Sequence, residues 1–378
     1  MRKGWEIKRL RDVCLVIAGQ SPEGKYYNSK GIGLPFYQGK KEFTEKFIGE
    51  PTTWSSVITK EASKDDILMS VRAPVGPVNF STQKICIGRG LAAIRTGKLI
   101  NKDFLFNFLV KHENEIVANE GAVFNSINKT QIENIEIPLP PLLEQKQIVS
   151  ILDKAFAAID KAKANTEKNL QNTKDLFESY LQNLFANPGE DWEEKKLNEI
   201  SQNLDSKRIP ITKSVRSTGN YPYYGASGIV DYVSDFIFEG DLLLVSEDGA
   251  NLLARTYPIA FSISGKTWVN NHAHVLRFSN LTNQKFVEYY LNSIKLDDYV
   301  SGMAQPKLNQ AMLNTIPIPY PPLKVQTSII NKFDILSLET KKLESIYQQK
   351  LNDLEELKKS ILQKAFAGEL TTAKELTV

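Results

Sequence analysis

The sequence predicts an α+β protein of two tandem β-rich units, each followed by a long helix, and three observations carry that reading. The chain repeats itself, each copy holds a proline-rich segment that fixes where a helix can begin, and the residues after that segment have apolar positions at steps of four and three. At 378 residues the chain exceeds one ordinary core and suits two domains.

The repeat decides the architecture. Trp5-Glu6-Ile7-Lys8-Arg9-Leu10 returns as Trp192-Glu193-Glu194-Lys195-Lys196-Leu197, an offset of 187. Ile135-Glu136-Ile137-Pro138-Leu139-Pro140-Pro141-Leu142-Leu143-Glu144-Gln145 returns as Ile316-Pro317-Ile318-Pro319-Tyr320-Pro321-Pro322-Leu323-Lys324-Val325-Gln326, an offset of 181. The second globular unit is therefore six residues shorter. The offset of 181 continues without a gap from Leu176–Ala186 to Leu357–Ala367, so the two helices have equal length. The expected boundaries are a globular unit over 1–145, a helix over 146–187, a second unit over 188–325, a second helix over 326–368 and a tail over 369–378.

Proline lacks the N–H and drives the residue before it extended, so each helix must start just after its Pro-Pro pair. The expected seam of the first helix is Leu152, Phe156, Ile159, Lys163, Thr166, Leu170, Thr173, Phe177, Tyr180 and Leu184. That of the second is Phe333, Ser337, Thr340, Glu344, Tyr347, Leu351, Leu354, Lys358, Ile361 and Ala365. Pro188-Gly189 stops the first helix and Gly368 the second. A helix of ~60 Å cannot bury its stripe on one domain core, so the two should pair, antiparallel, as a coiled coil with approximate two-fold symmetry. Two similar heads on such a spacer suit a bipartite target, and by geometry alone they suit equally a scaffold joining two protein partners.

Within each unit, apolar runs such as Asp66-Ile67-Leu68-Met69-Ser70-Val71 and Gly240-Asp241-Leu242-Leu243-Leu244-Val245 sit among Gly, Asn and Pro turns and predict strands. Helical stretches are expected over Lys102–Val117 and Gln284–Val300. The turns are richer in chemistry. Lys25-Tyr26-Tyr27, Lys40-Lys41, Arg72 and Arg89 in the first unit, and Tyr221–Gly228 and Trp268–His274 in the second, mix cations, amides and aromatics suited to phosphates and bases.

Composition narrows the class. With 42% hydrophobic and 24% charged residues the chain is that of a soluble globular protein, and its net charge of +3 leaves any nucleic-acid surface to a local patch. Cys14 and Cys86 are too few for a disulfide framework or a cysteine zinc site and point to a reducing compartment, the cytoplasm. Neither a signal peptide nor a membrane span is expected. Ala260-Phe261-Ser262-Ile263-Ser264-Gly265-Lys266-Thr267 fits a relaxed phosphate-loop pattern, but Trp268 to Leu276 read as turn and strand where a phosphate cradle needs a helix. His272 and His274, two apart, should share one strand face and could begin a metal site, yet no acidic cluster lies near in sequence. Glu193-Glu194-Lys195 lacks the Pro-Asp of a nuclease motif, and no methyltransferase motif is present. No catalytic, cofactor-binding or metal-binding residue is therefore assigned.

The Trp-Glu-x-x-x-Leu start of each half, the Ile-Pro-x-Pro-Pro-Leu-x-x-Gln helix start, Tyr223-Tyr224-Gly225-Ala226-Ser227-Gly228 and Asn270-Asn271-His272-Ala273-His274-Val275-Leu276 together resemble the specificity (S) subunit of Type I restriction-modification systems. The resemblance spans nearly the whole chain. It implies two target recognition domains that each read one half of an interrupted site on double-stranded DNA, with the helices setting the gap. It implies as partners two modification (methyltransferase) subunits and restriction (translocase and nuclease) subunits, which would hold adenosylmethionine, ATP and magnesium, with no cofactor in this chain. It places DNA contacts at Lys25, Tyr26, Tyr27, Lys40, Lys41, Arg72, Arg89, Asn125, Asn128 and Lys129, and at Lys207, Arg208, Tyr223, Tyr224, Ser227, Asn251, Arg255, Asn270, His272, Gln305, Lys307 and Asn309. A two-headed protein scaffold and a nucleotide-dependent enzyme using Gly265-Lys266-Thr267 are the rival readings.

Overall fold

The computed structural model describes residues 4–118, 126–302 and 305–370. The chain divides into two compact units, residues 1–166 with 350–378 and residues 167–349. Each unit therefore takes part of both long helices, which run over Leu142–Ala186 and Leu323–Ala367.

The repeated start and helix-entering segments pair in both units. Glu6–Arg9 runs antiparallel to Glu136–Leu139 with Lys8 opposite Ile137, and Glu193–Lys196 runs antiparallel to Pro317–Tyr320 with Lys195 opposite Ile318. The prolines of the second segment serve as short edge-strand residues, where a missing N–H costs little. The helix then begins at the residue after the Pro-Pro pair in both copies.

Each unit has an antiparallel four-stranded sheet of the same order. In the first it is Cys14–Ala18, Leu91–Thr96, Ile67–Ser70 and Val78–Phe80. In the second it is Ser201–Asn203, Ala273–Phe278, Leu242–Ser246 and Ala260–Ile263. A second sheet in each unit, of five strands in the first and four in the second, contains one parallel pair, Phe36 opposite Cys86 and Tyr223 opposite Trp268. Helices over Lys102–Ala118 and Leu281–Ser293 cover the four-stranded sheets. The second is shifted from the expected 284–300. Asn280 caps its start by accepting the Asn283 N–H, and Ile294 leaves it in extended conformation while Arg255 donates to the carbonyls of Leu291 and Ile294 at 3.3 and 2.5 Å.

The long helices complete the cores. In the first unit, Trp5, Ile148, Val149 and Leu152 pack in one cluster with Leu362, Ala365 and Phe366. In the second, Leu181 packs with Ile329, Ile330 and Phe333, with Leu184, Phe185 and Trp192 against them. These are the same positions in the two repeats. The helices are antiparallel in both units: Lys163 pairs with Glu355 at 2.8 Å and Asp160 with Lys358 at 3.8 Å in the first, and Tyr180 meets Phe333 edge-on at 5.8 Å in the second. Buried Thr166, Thr173 and Thr340 keep the seam closed by bonding their hydroxyls to the carbonyls of Ala162, Asn169 and Leu336. Near the end of the first helix the buried position is Leu181 rather than Tyr180, which is 40% exposed.

Candidate nucleic-acid interface

In the first unit five connecting segments converge where the strands 14–18 and 67–70 end and the strand 91–96 begins. Gly19 N–H donates to Leu91 O at 2.9 Å, Gly88 N–H to Tyr37 O at 2.8 Å, Gly90 N–H to Gln38 O at 3.1 Å, Val71 N–H to Gly90 O at 3.0 Å and Ile127 N–H to Val71 O at 3.0 Å. The approach is close enough that a Cβ on Gly19 would lie 2.2 Å from Gly88 O, and one on Gly90 2.4 Å from Gln38 O, so glycine is required there. Lys40, Lys41, Arg72 and Arg89 are all exposed on these segments, and none is in a salt bridge among the described residues, although Lys40 lies near enough to Glu113 to act on its carboxyl. Ser21 and Gln38, joined by a 2.8 Å hydrogen bond, lie among them and were not singled out from sequence. Tyr27 flanks the group, stacking on Phe36 at 4.6 Å and donating to Pro22 O. Lys25 pairs with Glu23 and lies 5.0 Å from the Tyr26 ring.

The second unit repeats the convergence with other side chains. Leu204 N–H donates to Val275 O, Asn270 N–H to Tyr224 O, Glu247 N–H to His272 O and Leu308 N–H to Glu247 O, all at 2.8–3.0 Å. The isolated bridge between Arg72 and Ser126 in the first unit has its counterpart between Asp248 and Lys307 in the second. Exposed Lys207, Ser227, His272, Gln305 and Lys307 come together here, with half-buried Tyr224 beside them. His272 faces Asp248 at 2.8 Å and Lys307 faces Glu247 at 3.2 Å.

Beneath this surface lies a buried ion network. The Arg208 guanidinium contacts Glu247 at 2.7 Å, Asp205 at 3.5 Å and Ala273 O at 2.8 Å. His274 Nε2 donates to Leu308 O at 2.8 Å, and its Nδ1 lies 2.6 Å from Asp205 Oδ2. Burial alone would raise the Asp205 carboxyl, but the hydrogen bond and charge of His274, the Val275 N–H and Arg208 hold it below the ordinary carboxylate range. Burial works the same way on Glu247, and Arg208, His274 and Lys307 outweigh it. Asp205, Glu247 and His274 offer ligand atoms within 4.8 Å of one another, but two protein cations already compensate them, so the group is a closed ion network. Its acids come from far along the chain, which is why sequence proximity did not show them. The expected common face of the two histidines is corrected: the strand starts at Ala273, so His272 lies outside it and exposed while His274 is buried.

Five of the expected contact residues are engaged within the fold. Arg208 is held in the network, and Tyr223, only 1% exposed, lies under the Arg216 guanidinium at 4.2 Å. Buried Asn251 accepts from Thr256 and donates to Tyr257 O, folding its own loop, and Arg255 caps the Leu281–Ser293 helix. Asn270 is also buried and accepts the His272 N–H, so it shapes the loop from below. Asn128 and Asn309 are equivalent exposed N-caps, accepting from Gln131 and Met312, and Lys129 pairs with Glu133 at 3.4 Å. Asn125 lies outside the described residues. Around Lys266 two strands, Ala260–Ile263 and Lys266–Val269, flank a turn at Gly265, so no helix opens toward a phosphate.

The sequence pattern of the Type I restriction modification DNA specificity domain matches residues 2–171 and again 189–356. The chain belongs to this family. The two matches bracket the two loop convergences. Among relatives of the specificity domain family, the EcoKI specificity subunit of Escherichia coli is 26% identical over 323 residues, covering 75% of this chain and 69% of its own. The MjaIX specificity subunit of Methanocaldococcus jannaschii is 24% identical over 413 residues, covering 97% and 94%. Two other specificity subunits, from Haemophilus influenzae and Methanocaldococcus jannaschii, reach 38% and 41% identity, and the chain spans about two fifths of their length, 41% and 40%. Among solved structures, a chain of a type I R-M system superposes with a TM-score of 0.80 at 19% identity, covering 98% of this chain and 99% of that one. The HsdS subunit from Thermoanaerobacter tengcongensis gives 0.63 at 19% identity, with 98% of both chains covered. At that identity the likeness is one of fold.

Proposed function

We propose that the chain is the DNA sequence-specificity subunit of a Type I restriction-modification complex, reading two halves of an interrupted site with its two loop convergences. The observation that supports this most is the duplicated convergence, which in the first unit gathers exposed Lys40, Lys41, Arg72 and Arg89, none of them in a salt bridge among the described residues. Cations of that kind pair with phosphates and with guanine edges. The long helices set the distance between the half-sites. Modification subunits supply adenosylmethionine and transfer the methyl group to adenine, and restriction subunits supply ATP- and magnesium-dependent translocation and cleavage. This chain supplies the address.

Methylome sequencing with and without the gene tests the reading. Loss of one bipartite adenine-methylation motif is expected, and an unchanged methylome would refute it. Exchanging residues 1–145 for another recognition unit should alter one half-site only, a result read from the same sequencing. Alanine at Lys40, Lys41, Arg72 or Arg89 should weaken duplex binding by the assembled complex and lower the slope of log K against log[salt] by roughly 1 per phosphate contact removed. Unchanged slopes in all four variants would take phosphate contact away from this surface.

A further inference from the structure

Gln145 and Gln326 are the same residue of the repeat. Each donates its side-chain N–H to the carbonyl of the first proline of its Pro-Pro pair, Pro140 at 2.8 Å and Pro321 at 2.9 Å. A carbonyl only accepts, so the orientation of both amides is fixed. In the first unit the Gln145 oxygen accepts the Asn101 N–H at 2.7 Å, and its nitrogen also reaches Leu99 O. Both partners belong to the segment 97–101, between the strand Leu91–Thr96 and the helix starting at Lys102. In the second unit only Ser279 and Asn280 separate the strand Ala273–Phe278 from the helix Leu281–Ser293. Asn280 caps its helix as Asn101 does, but on the shorter connection its N–H does not reach the glutamine.

The result is an unmet acceptor buried in the wall of a cleft. Gln326 is fully buried and its Oε1 has no hydrogen-bond partner, while Asn283, 5% exposed, sets one end of its amide on the Ser279 hydroxyl and leaves the other end unmet. Buried polar atoms without partners are rare in folded proteins. Both residues line a cavity of about 450 Å³ together with Asp191, Glu193, Lys195 and Tyr320. Lys195 is tied to Glu193 at 2.9 Å and lies 4.9 Å from the Tyr320 ring centre, and Asp191 has no ion pair among the described residues. The lining therefore offers the unmet Gln326 oxygen and one carboxylate in excess, with the Tyr320 ring already facing Lys195.

We propose that this cavity binds a guanidinium or primary ammonium group. Its N–H donors meet the Gln326 oxygen once the side chains walling it off give way, and its charge meets Asp191. The net negative lining disfavours an anion, and a neutral donor gains nothing from the carboxylate. The source is a free small cation or an arginine side chain of a partner protein. The proposal does not depend on DNA reading.

Calorimetric titration of the full chain with L-argininamide tests it, with acetamide as a neutral amide control and a crystal soaked in the same compound to locate it. Saturable binding at one site is expected, with no saturation by acetamide. Asp191→Asn combined with Glu193→Gln should weaken it at least tenfold, and because both carboxylates are exposed the fold is not at stake. Absence of saturation, equal binding by the double variant, or a soaked cavity holding ordered water only would overturn the proposal. A second arm identifies the source. If Asp191→Lys weakens assembly with the other subunits and argininamide competes with that assembly, the natural occupant is a partner's side chain; if assembly is unchanged while argininamide binding is lost, it is a free cation.

Discussion

Replacing Arg208 by Met is expected to destabilise the second unit by about 3–5 kcal/mol, the range for breaking a buried ion pair by removing one partner. The guanidinium touches two carboxylates and a carbonyl, and its side chain is only 13% exposed, so water cannot take its place. Glu247 would keep Lys307 and Asp205 would keep His274, which places the loss within this range rather than above it. For a unit of this size the loss corresponds to roughly 6–20 °C in Tm. Scanning calorimetry checks it, and a variant that melts within about 1 °C of the parent would show that the network is not a stabilising centre. The network ties Asp205, Glu247, Ala273 and Leu308 on four converging segments, so readout of the second half-site should fail with it while the first unit keeps its fold.

The acid limb of stability has the same origin. Asp205 and Glu247 are held below their ordinary values of 3.8 and 4.5, so the folded state binds protons less readily than the unfolded chain does. The stabilisation they give is fully present above those ordinary values and is lost as pH falls through the lowered folded values. Melts of the parent between pH 7 and 3 should therefore fall most steeply below about pH 4.5. The Arg208→Met variant, with a major countercharge gone, should show a shallower fall.

Local chemistry made the helix starts and the repeat legible. Pro140-Pro141 and Pro321-Pro322 constrain the backbone whatever surrounds them, and the helices begin at Leu142 and Leu323. Asn128 and Asn309, each three residues before a hydrogen-bonding backbone N–H, carry a cap signal that is legible in the sequence beside their expected place at the DNA. What could not be read locally was which loops meet. Arg208 and Glu247 are far apart in the chain, and only the pairing of the strands 242–246 and 273–278 brings Glu247 to His274 and so to Asp205. Tyr223 belongs to a motif rich in exposed-looking groups, yet strand alternation turns it inward while Tyr224 stays half-buried. The repeat held an unused signal: the pairing of Arg72 with Ser126 recurs at Asp248 and Lys307, so aligning the loops of the two halves would have gathered most of the interface.

Phe366→Ala, near the far end of the chain, should destabilise the first unit by about 3–5 kcal/mol, the cost of emptying a buried phenylalanine site. The ring is 7% exposed and lies against Phe104 at 5.0 Å and Phe108 edge-on at 5.4 Å, in one cluster with Leu362 and Ala365. Phe185 is its repeat counterpart at the end of the first long helix, packing on Phe286, Tyr290 and Phe333 at 5.6, 5.0 and 6.1 Å in the second unit. Phe185 is only half-buried, so Phe185→Ala should cost less and act on the second unit. Native-state hydrogen exchange separates the two effects. Phe366→Ala should speed exchange of the amides over Phe104–Leu109 and leave those over Phe286–Leu291 unchanged, and Phe185→Ala should do the reverse. Uniform acceleration in either variant would mean that the two units unfold as one, and the independence expected of two separately readable half-sites would then have no physical basis in the cores.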